Sequence, residues 1–359
     1  MNFTEKAKKH IDSCRFCWMC RHICPIGNAT GQERNNARAR ALCLSLVMRG
    51  AENPEAVADN VYECALCGAC VKECATGWDP VSFTLEARKE LAMEGKLPSY
   101  IEKLLDNYEK SGSVYAAAEE NSALTEAKKR HANKTDTLFL LSHAAIYRDG
   151  TDTVKSVGLL EKTGIKFTVA EKEPSSGADL RFLIGDTGET QEAARNCAEL
   201  LNEYKTVIFL NPDDAKIVVR EYKEWGIDVK AKLFTFTSFI ADNLDKLKVK
   251  RKKLKIAPQD PFALGRELEE TEPLRKIAAA AGTLNEMLNN RKDTFMAASA
   301  IMAEYMPDVM KTVGERRLRD SAAVGADAML TCSPSEHAVV KDLAFDGVKA
   351  ISVAELLLD

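Results

Sequence analysis

Hydrophobic and polar positions change their pattern about a third of the way along the chain. Residues 1–102 carry helix start and stop signals and read as mostly helical. Thr30-Gly31-Gln32-Glu33 has capping-box spacing and predicts a helix running to about Met48, ahead of Gly50. Asn53-Pro54 predicts a short helix leading to Cys64, and Asp79-Pro80 a helix to Glu94 that stops at Gly95. Residues 103–135 are polar, charged and alanine-containing, with Ser-Gly-Ser at 111–113, and read as a helical connector rather than a core element.

From residue 136 to 359 short apolar runs take over: Thr137–Ser142, Leu180–Ile184, Thr206–Leu210, Leu254–Ala257 and Ala328–Thr331. Amphipathic stretches at Thr190–Tyr204, Asp213–Trp225 and Val313–Val324 separate them, the alternation of parallel sheets covered by helices. Val207-Ile-Phe-Leu-Asn-Pro212 and the run Ala231–Ile240 resemble Ala328-Met-Leu-Thr-Cys-Ser-Pro334 and Ala350–Leu357. A duplicated α/β domain with parallel sheets is therefore expected, each half ending as strand, proline-containing turn, helix, short strand and helix.

The 359-residue length suits about two domains at ~150 residues each. With 45% hydrophobic and 29% charged residues, neither a disordered chain nor a coiled coil is expected. A net charge of −4 gives no reason to expect nucleic acid. Neither a long uncharged apolar stretch nor an apolar signal core after Met1 occurs, so the expected address is cytoplasmic, with reduced thiols.

Cysteine placement adds the chemistry. Nine of the 11 cysteines lie between positions 14 and 74. Cys14, Cys17, Cys20 and Cys24 recur as Cys64, Cys67, Cys70 and Cys74, an offset of 50 that marks an internal duplication. Each C-x2-C-x2-C-x3-C run places three thiolates on one tight loop, and in a chain with two such runs the fourth cysteine ligates the other cluster. One [4Fe–4S] cluster is thus expected on Cys14, Cys17, Cys20 and Cys74, and a second on Cys64, Cys67, Cys70 and Cys24. Two four-cysteine zinc sites are the alternative, although zinc pairs are usually separated by a longer spacer. Cys74 is followed by Ala75 rather than proline, which predicts an extra N–H near its thiolate and a slightly higher potential. Phe16, Trp18 and Trp78 are candidates to shield cluster sulfurs, or plain packing, and Cys43 reads as a buried structural thiol. His22 reads as a surface histidine.

With both cysteine runs and the segment Arg88-Lys89-Glu90-Leu91…Gly95-Lys96-Leu97-Pro98, the sequence resembles the iron–sulfur subunits of glycolate oxidase, anaerobic glycerol-3-phosphate dehydrogenase and heterodisulfide reductase. Lys162-Thr-Gly164-Ile165, Gln259-Asp260-Pro261, Leu264-Gly265-Arg266, Pro273-Leu-Arg275, Glu286-Met287, Gly325-Ala326-Asp327 and Thr331-Cys332-Ser333-Pro334 extend the resemblance over most of the chain. It implies an α-helical ferredoxin domain followed by degenerate cysteine-rich repeats. Where that family carries cysteines for a non-cubane centre, this chain reads Glu173-Pro174-Ser175, Asn211-Pro212-Asp213-Asp214, Asp260-Pro261-Phe262 and Met296-Ala297-Ala298. Only Cys332 stands near such a position, while Cys197 reads as helix packing. Thiol–disulfide catalysis is not expected, and the repeat domain becomes a docking scaffold.

No metalloprotease, nucleophile-elbow, P-loop or dinucleotide motif occurs, so no catalytic residue is assigned. Seven basic residues between Lys246 and Lys255 form either a solvated face or a steering patch for an acidic partner. The expected role is electron transfer within an oxidoreductase complex, with FAD only on a partner. By resemblance that partner is a 2-hydroxy-acid or glycerol-phosphate dehydrogenase or an electron-transferring flavoprotein, through which the chain could be peripheral to a membrane. The alternatives are a heterodisulfide-reductase-like subunit using a partner's cysteine centre and an iron–sulfur redox sensor.

Overall fold

The computed structural model describes residues 1–15, 17–115 and 121–358. The cysteine-bearing end comprises α1 (Glu5–Asp12), α2 (Met19–Ile23), α3 (Pro25–Thr30), α4 (Ala37–Met48), α5 (Pro54–Tyr62), α6 (Ala69–Glu73) and α7 (Pro80–Met93). Helices α8 (Ser99–Ser111) and α9 (Ser122–Arg130) follow. Helix starts fall where sequence signals coincide: the Asp79 carboxylate accepts the Val81 and Ser82 N–H groups, and Pro80 occupies the first helical position.

The helix start expected at Thr30 is corrected. Pro25, whose φ is preset for a helix, opens α3 directly after Cys24, and Gly31 ends it at φ +69. The cap of α4 is Asn36, whose side chain accepts the Ala39 N–H, and α4 ends at Met48 as expected. The connector also departs from expectation, because Leu104, Val114, Tyr115, Leu124 and Ala127 are all buried. Its apolar positions share one face of each helix, and that face joins the core despite the polar composition. The Ser-Gly-Ser turn ends α8 at Gly112, φ +78.

Two sheets follow. The first is fully parallel in the order β1 (Thr137–Leu140), β2 (Thr206–Phe209), β3 (Lys232–Thr235). The second contains β4 (Lys255–Pro258), β5 (Thr283–Leu284), β6 (Ala328–Thr331), β7 (Ala344–Phe345) and β8 (Val348–Ser352), in the order β5-β4-β6-β8-β7. It is parallel except for its edge strand β7, which runs antiparallel to β8. The apolar run Leu180–Ile184, expected as a strand, is helical within Ala178–Ile184. Leu180, Leu183 and Ile184 have i, i+3, i+4 spacing and pack with Phe83, Ala87 and Leu91 of α7; a run this short fits either period.

The expected duplication is visible in the ends of the halves. After β2 an Asn211-capped helix, Pro212–Val219, leads to β3 and the helix Phe236–Asp242. After β6 a Ser333-capped helix, Pro334–Val340, leads to β8 and the helix Val353–Leu358. A buried ion network joins the halves: His337 Nδ1 lies 2.7 Å from Asp149 Oδ2, Lys341 donates to Asp149 Oδ1 at 3.0 Å, and Lys155 donates to Glu355 at 2.6 Å. One continuous core contains Leu44, Tyr62, Phe83 and Leu91 from the helical end together with Leu180, Leu183 and Ile301 from the α/β region. The helical end is thereby joined to the α/β region.

Candidate metal centre

Both cysteine runs adopt one backbone path. In the first, Trp18 takes φ +70 and ψ −5 and starts α2, which ends at Cys24 with φ −71 and ψ 115. In the second, Gly68 takes φ +70 and ψ 2 and starts α6, which ends at Cys74 with φ −76 and ψ 112. Each run is therefore a loop, a left-handed turn and one helical turn carrying the third cysteine, with the fourth at an extended exit. Helices α2 and α6 pack on one another and bring the two runs together.

Their thiols interact across the runs. Cys20 feels Cys14 and Cys17, Cys24 feels Cys67 and Cys64, and Cys70 feels Cys64, Cys67 and Cys24 and also Cys20 of the first run. Burial first, and neighbouring sulfurs second, push the Cys70 thiol well above its ordinary value; burial likewise carries Cys24 up to about 12. Buried thiolates that repel one another need a cation among them, the property of a metal donor set. The chemistry of this set fits iron held by thiolates.

Cys74 differs. Burial raises its thiol, but hydrogen bonds from the Thr76 hydroxyl and from the N–H groups of Thr76 and Trp78 outweigh that and set it below its usual value. The Thr76 Oγ1 lies 3.2 Å from the sulfur. The extra donors expected at Ala75 thus come from farther along the chain. Pro25 turns the chain straight into α3 after Cys24, whereas after Cys74 the chain runs through Gly77 at φ +67 and reaches α7 only at Pro80.

The second loop is covered by the α/β region. Arg266 Nε donates to the Cys67 carbonyl at 2.8 Å and its Nη1 to the Thr294 carbonyl at 2.6 Å. Lys72 pairs with Asp293 at 2.9 Å, and Ala65, Cys67 and Ala69 pack against Met296 and Met302. This approach requires Gly265, where a Cβ would stand 2.4 Å from the Arg291 carbonyl. Arg88, fully buried, donates to the carbonyls of Val61 at 3.2 Å, Cys64 at 2.5 Å and Phe182, between the rings of Tyr62 and Phe182. In the sequence Arg88 and Arg266 stand out only as members of the motifs that carry the resemblance; nothing in local pattern marks an arginine as buried.

Cys17 in the first loop, by contrast, is exposed, as is His22. Trp18 is 48% exposed with Arg38 over its ring, whereas Trp78 is buried, donates to the His10 carbonyl at 2.6 Å and contacts Phe83. Phe16 lies outside the described residues. Cys43 is half-buried on α4 rather than fully buried.

Carboxylates, rather than thiols, organise the stretches at 173–175, 211–214, 260–262 and 296–298. Glu173 accepts the Leu141 and Ser142 N–H groups, Asp214 the Ser176 hydroxyl, and Glu336 the Ala297 N–H. Asp260 pairs with buried Arg275 at 2.7 Å. Burial pushes Glu173 up to about 7, Asp213 and Asp214 to about 6 and Glu336 to about 8. Cys332 is buried, with its thiol pushed well above the usual value by that burial, and burial carries Cys197 up to about 12. Neither thiol has the electropositive, accessible setting of a reactive cysteine. Among the described residues, no helix is long and apolar enough to cross a membrane.

Comparison with known proteins agrees with this geometry. Residues 10–78 match the family model of the 4Fe-4S dicluster domain. The chain is 23% identical over 367 residues to one subunit of the dihydromethanophenazine:CoB–CoM heterodisulfide reductase of Methanosarcina mazei, covering 93% of this chain and 89% of the relative. It is 20% identical over 367 residues to one subunit of the fumarate reductase (CoM/CoB) of Methanothermobacter marburgensis, covering 97% and 72%. A probable membrane-anchored ferredoxin of Chromohalobacter salexigens is 22% identical over 249 residues, covering 63% and 36%. The helical cysteine-bearing end, the α/β region behind it and these matches together identify an iron–sulfur electron-transfer protein homologous to subunits of heterodisulfide reductase and of fumarate reductase (CoM/CoB).

Proposed function

We propose that the chain binds two [4Fe–4S] clusters, one on Cys14, Cys17, Cys20 and Cys74 and the other on Cys64, Cys67, Cys70 and Cys24. It relays single electrons between a flavin-bearing partner and a second carrier. The observation that carries this reading is the position of Cys24 among Cys64, Cys67 and Cys70, as cross-ligation requires. A [4Fe–4S] cluster, when bound, supplies one-electron transfer. The chain's own residues hold the sulfurs: Gly27 donates its N–H to Cys24 at 3.4 Å, Thr76 and Trp78 donate to Cys74, and Arg88 and Arg266 pin the carbonyls of Cys64 and Cys67.

In this reading residues 1–102 carry the clusters, 103–135 strap them to the sheets, and 136–359 cover the second loop and act as a scaffold. Substrate chemistry belongs to the partner's FAD, on a dehydrogenase of the 2-hydroxy-acid or glycerol-phosphate kind or an electron-transferring flavoprotein. The cytoplasm is the proposed compartment. The relatives' names favour a second reading, a component of a complex like heterodisulfide reductase. With Cys197 and Cys332 both buried, any cysteine centre in that case belongs to a partner. Anaerobic co-purification with flavin, iron and thiol analysis separates the two. Stoichiometric flavin in the complex supports the first; a cysteine-rich iron protein without flavin supports the second.

A further inference from the structure

Exposed large apolar side chains are few among the described residues, and four of the seven lie together. Trp18 (48%) and Met19 (45%) belong to the first cysteine loop, and Leu42 (52%) and Leu46 (43%) to the adjoining face of α4. Arg38, Leu42 and Leu46 are spaced i, i+4, i+8, so they form one stripe along that helix. The stripe starts at the loop, because Arg38 lies 3.4 Å over the Trp18 ring and its backbone N–H reaches Cys20. Exposed Cys17 borders the same surface.

Two further observations distinguish this face from chance exposure. Trp18 holds φ +70, where its duplicate at position 68 is glycine. A side chain in that conformation is strained, and the strain here leaves an indole half-exposed instead of burying it. The charge is also one-sided: Arg15, Arg21 and His22 lie in this loop with no acidic residue between Cys14 and Cys24. Arg15 and Arg21 make no ion pair among the described residues, and Arg21 sits over the Trp18 ring at 5.5 Å. The second cysteine loop, by comparison, is closed under Arg266 and Met296.

We propose that Trp18, Met19, Leu42 and Leu46, rimmed by Arg15 and Arg21, form the docking surface for the flavin-bearing partner, which presents an apolar centre ringed by carboxylates. This rests on the flavoprotein reading above and places electron exchange at the first cysteine loop rather than at the basic run 246–255. An apolar centre with a charged rim is the anatomy of a transient interface, and the arginines set salt-dependent association.

The test uses the full chain, purified anaerobically, and the flavoprotein that co-purifies with it, identified by its flavin. Affinity is measured at low and high salt for the wild type, for Leu42→Glu with Leu46→Glu, and for two controls that are more exposed still, Met93→Glu and Leu288→Glu. Visible absorbance confirms that the iron centres are intact in each. At least a tenfold weaker affinity for the α4 pair, with controls within twofold, is expected, and Arg21→Glu slows association at low salt only. An unchanged α4 pair, or an equal loss in the controls, overturns the surface while leaving the flavoprotein reading in place. Bound protein without flavin at either salt overturns that reading and this surface with it. Hydroxyl-radical footprinting of the wild-type complex gives an independent readout: Trp18 and Met19 become protected, and continued oxidation of both overturns the proposal.

Discussion

Replacing Arg88 by methionine keeps the aliphatic stem and removes the guanidinium. Three carbonyls, that of Val61 buried and those of Cys64 and Phe182 partly buried, then lose their charged donor. Hydrogen bonds to a charged group contribute about 1.5–3 kcal/mol each. Against them stands the cost of burying the guanidinium, of several kcal/mol, which the unpartnered Nε leaves partly unrecovered. The net loss is therefore about 3–5 kcal/mol, since each carbonyl left without a donor costs about 1–3 kcal/mol and the relieved guanidinium burial offsets part of that sum. The share acting on the second cysteine loop is the Cys64 bond alone, about 1.5–3 kcal/mol, or a roughly 10- to 150-fold increase in loop opening. Anaerobic iron release to a ferrous chelator reads this directly. Roughly half the iron should leave about 10–100 times faster in Arg88→Met, and the rest at nearly the wild-type rate. Release of all the iron at wild-type rates would refute the argument that Arg88 pins the second loop, and uniform acceleration would show that the loss is global.

Further expectations follow from other contacts. Burial opposes protonation of His337, but the hydrogen bond to Asp149 and the Glu355 carboxylate 3.7 Å from Nε2 outweigh it and carry the imidazole up to about 10. A pKa raised on folding contributes stability that is fully present below about pH 6.5 and is lost as pH rises towards 10, so His337→Gln should cost roughly 3–5 kcal/mol at pH 6 and progressively less above pH 7. A pH-independent difference in thermal unfolding would contradict this. Thr76→Val removes one donor to the Cys74 sulfur and should lower the potential of the cluster Cys74 serves by up to about 40 mV, taking about 1 kcal/mol per bond. A potentiometric titration with both midpoints unmoved argues against that bond. Cys24→Ser should perturb the paramagnetic signal of the cluster on the second loop and Cys74→Ser that on the first; the reverse assignment would mean each run ligates its own cluster.

Much of this architecture was legible because the signals are local. Asp79-Pro80 sets the start of α7, proline and a polar cap open the helices after β2 and β6, and the offset of 50 between the cysteine runs reappears as matching backbone angles at Trp18 and Gly68. Failures arose where tertiary packing decided. Leu180–Ile184 reads equally as strand or helix until α7 offers it a surface, and the connector looks solvated until Leu104 and Leu124 find the core. The antiparallel strand β7 is two residues long, too short for any periodicity. At the site the sulfurs were legible and their supports were not. Arg88 and Arg266 reach carbonyls 24 and 199 residues away in sequence, and Glu173, Asp214 and Asp260 are identified as buried only by the fold. The donors to Cys74 were half legible: the missing proline predicted an extra N–H, but the path through Gly77 determined that Thr76 and Trp78 supply it.

The central claim is that two electron-carrying clusters share eight cysteines across the two runs. Iron, sulfide and zinc analysis of the anaerobically purified chain, with integrated electron paramagnetic resonance during a reductive titration, tests it most directly. About eight irons and eight sulfides per chain, no zinc and two one-electron reductions are expected. A colourless protein carrying zinc, or about four irons with a single reduction step, would contradict it.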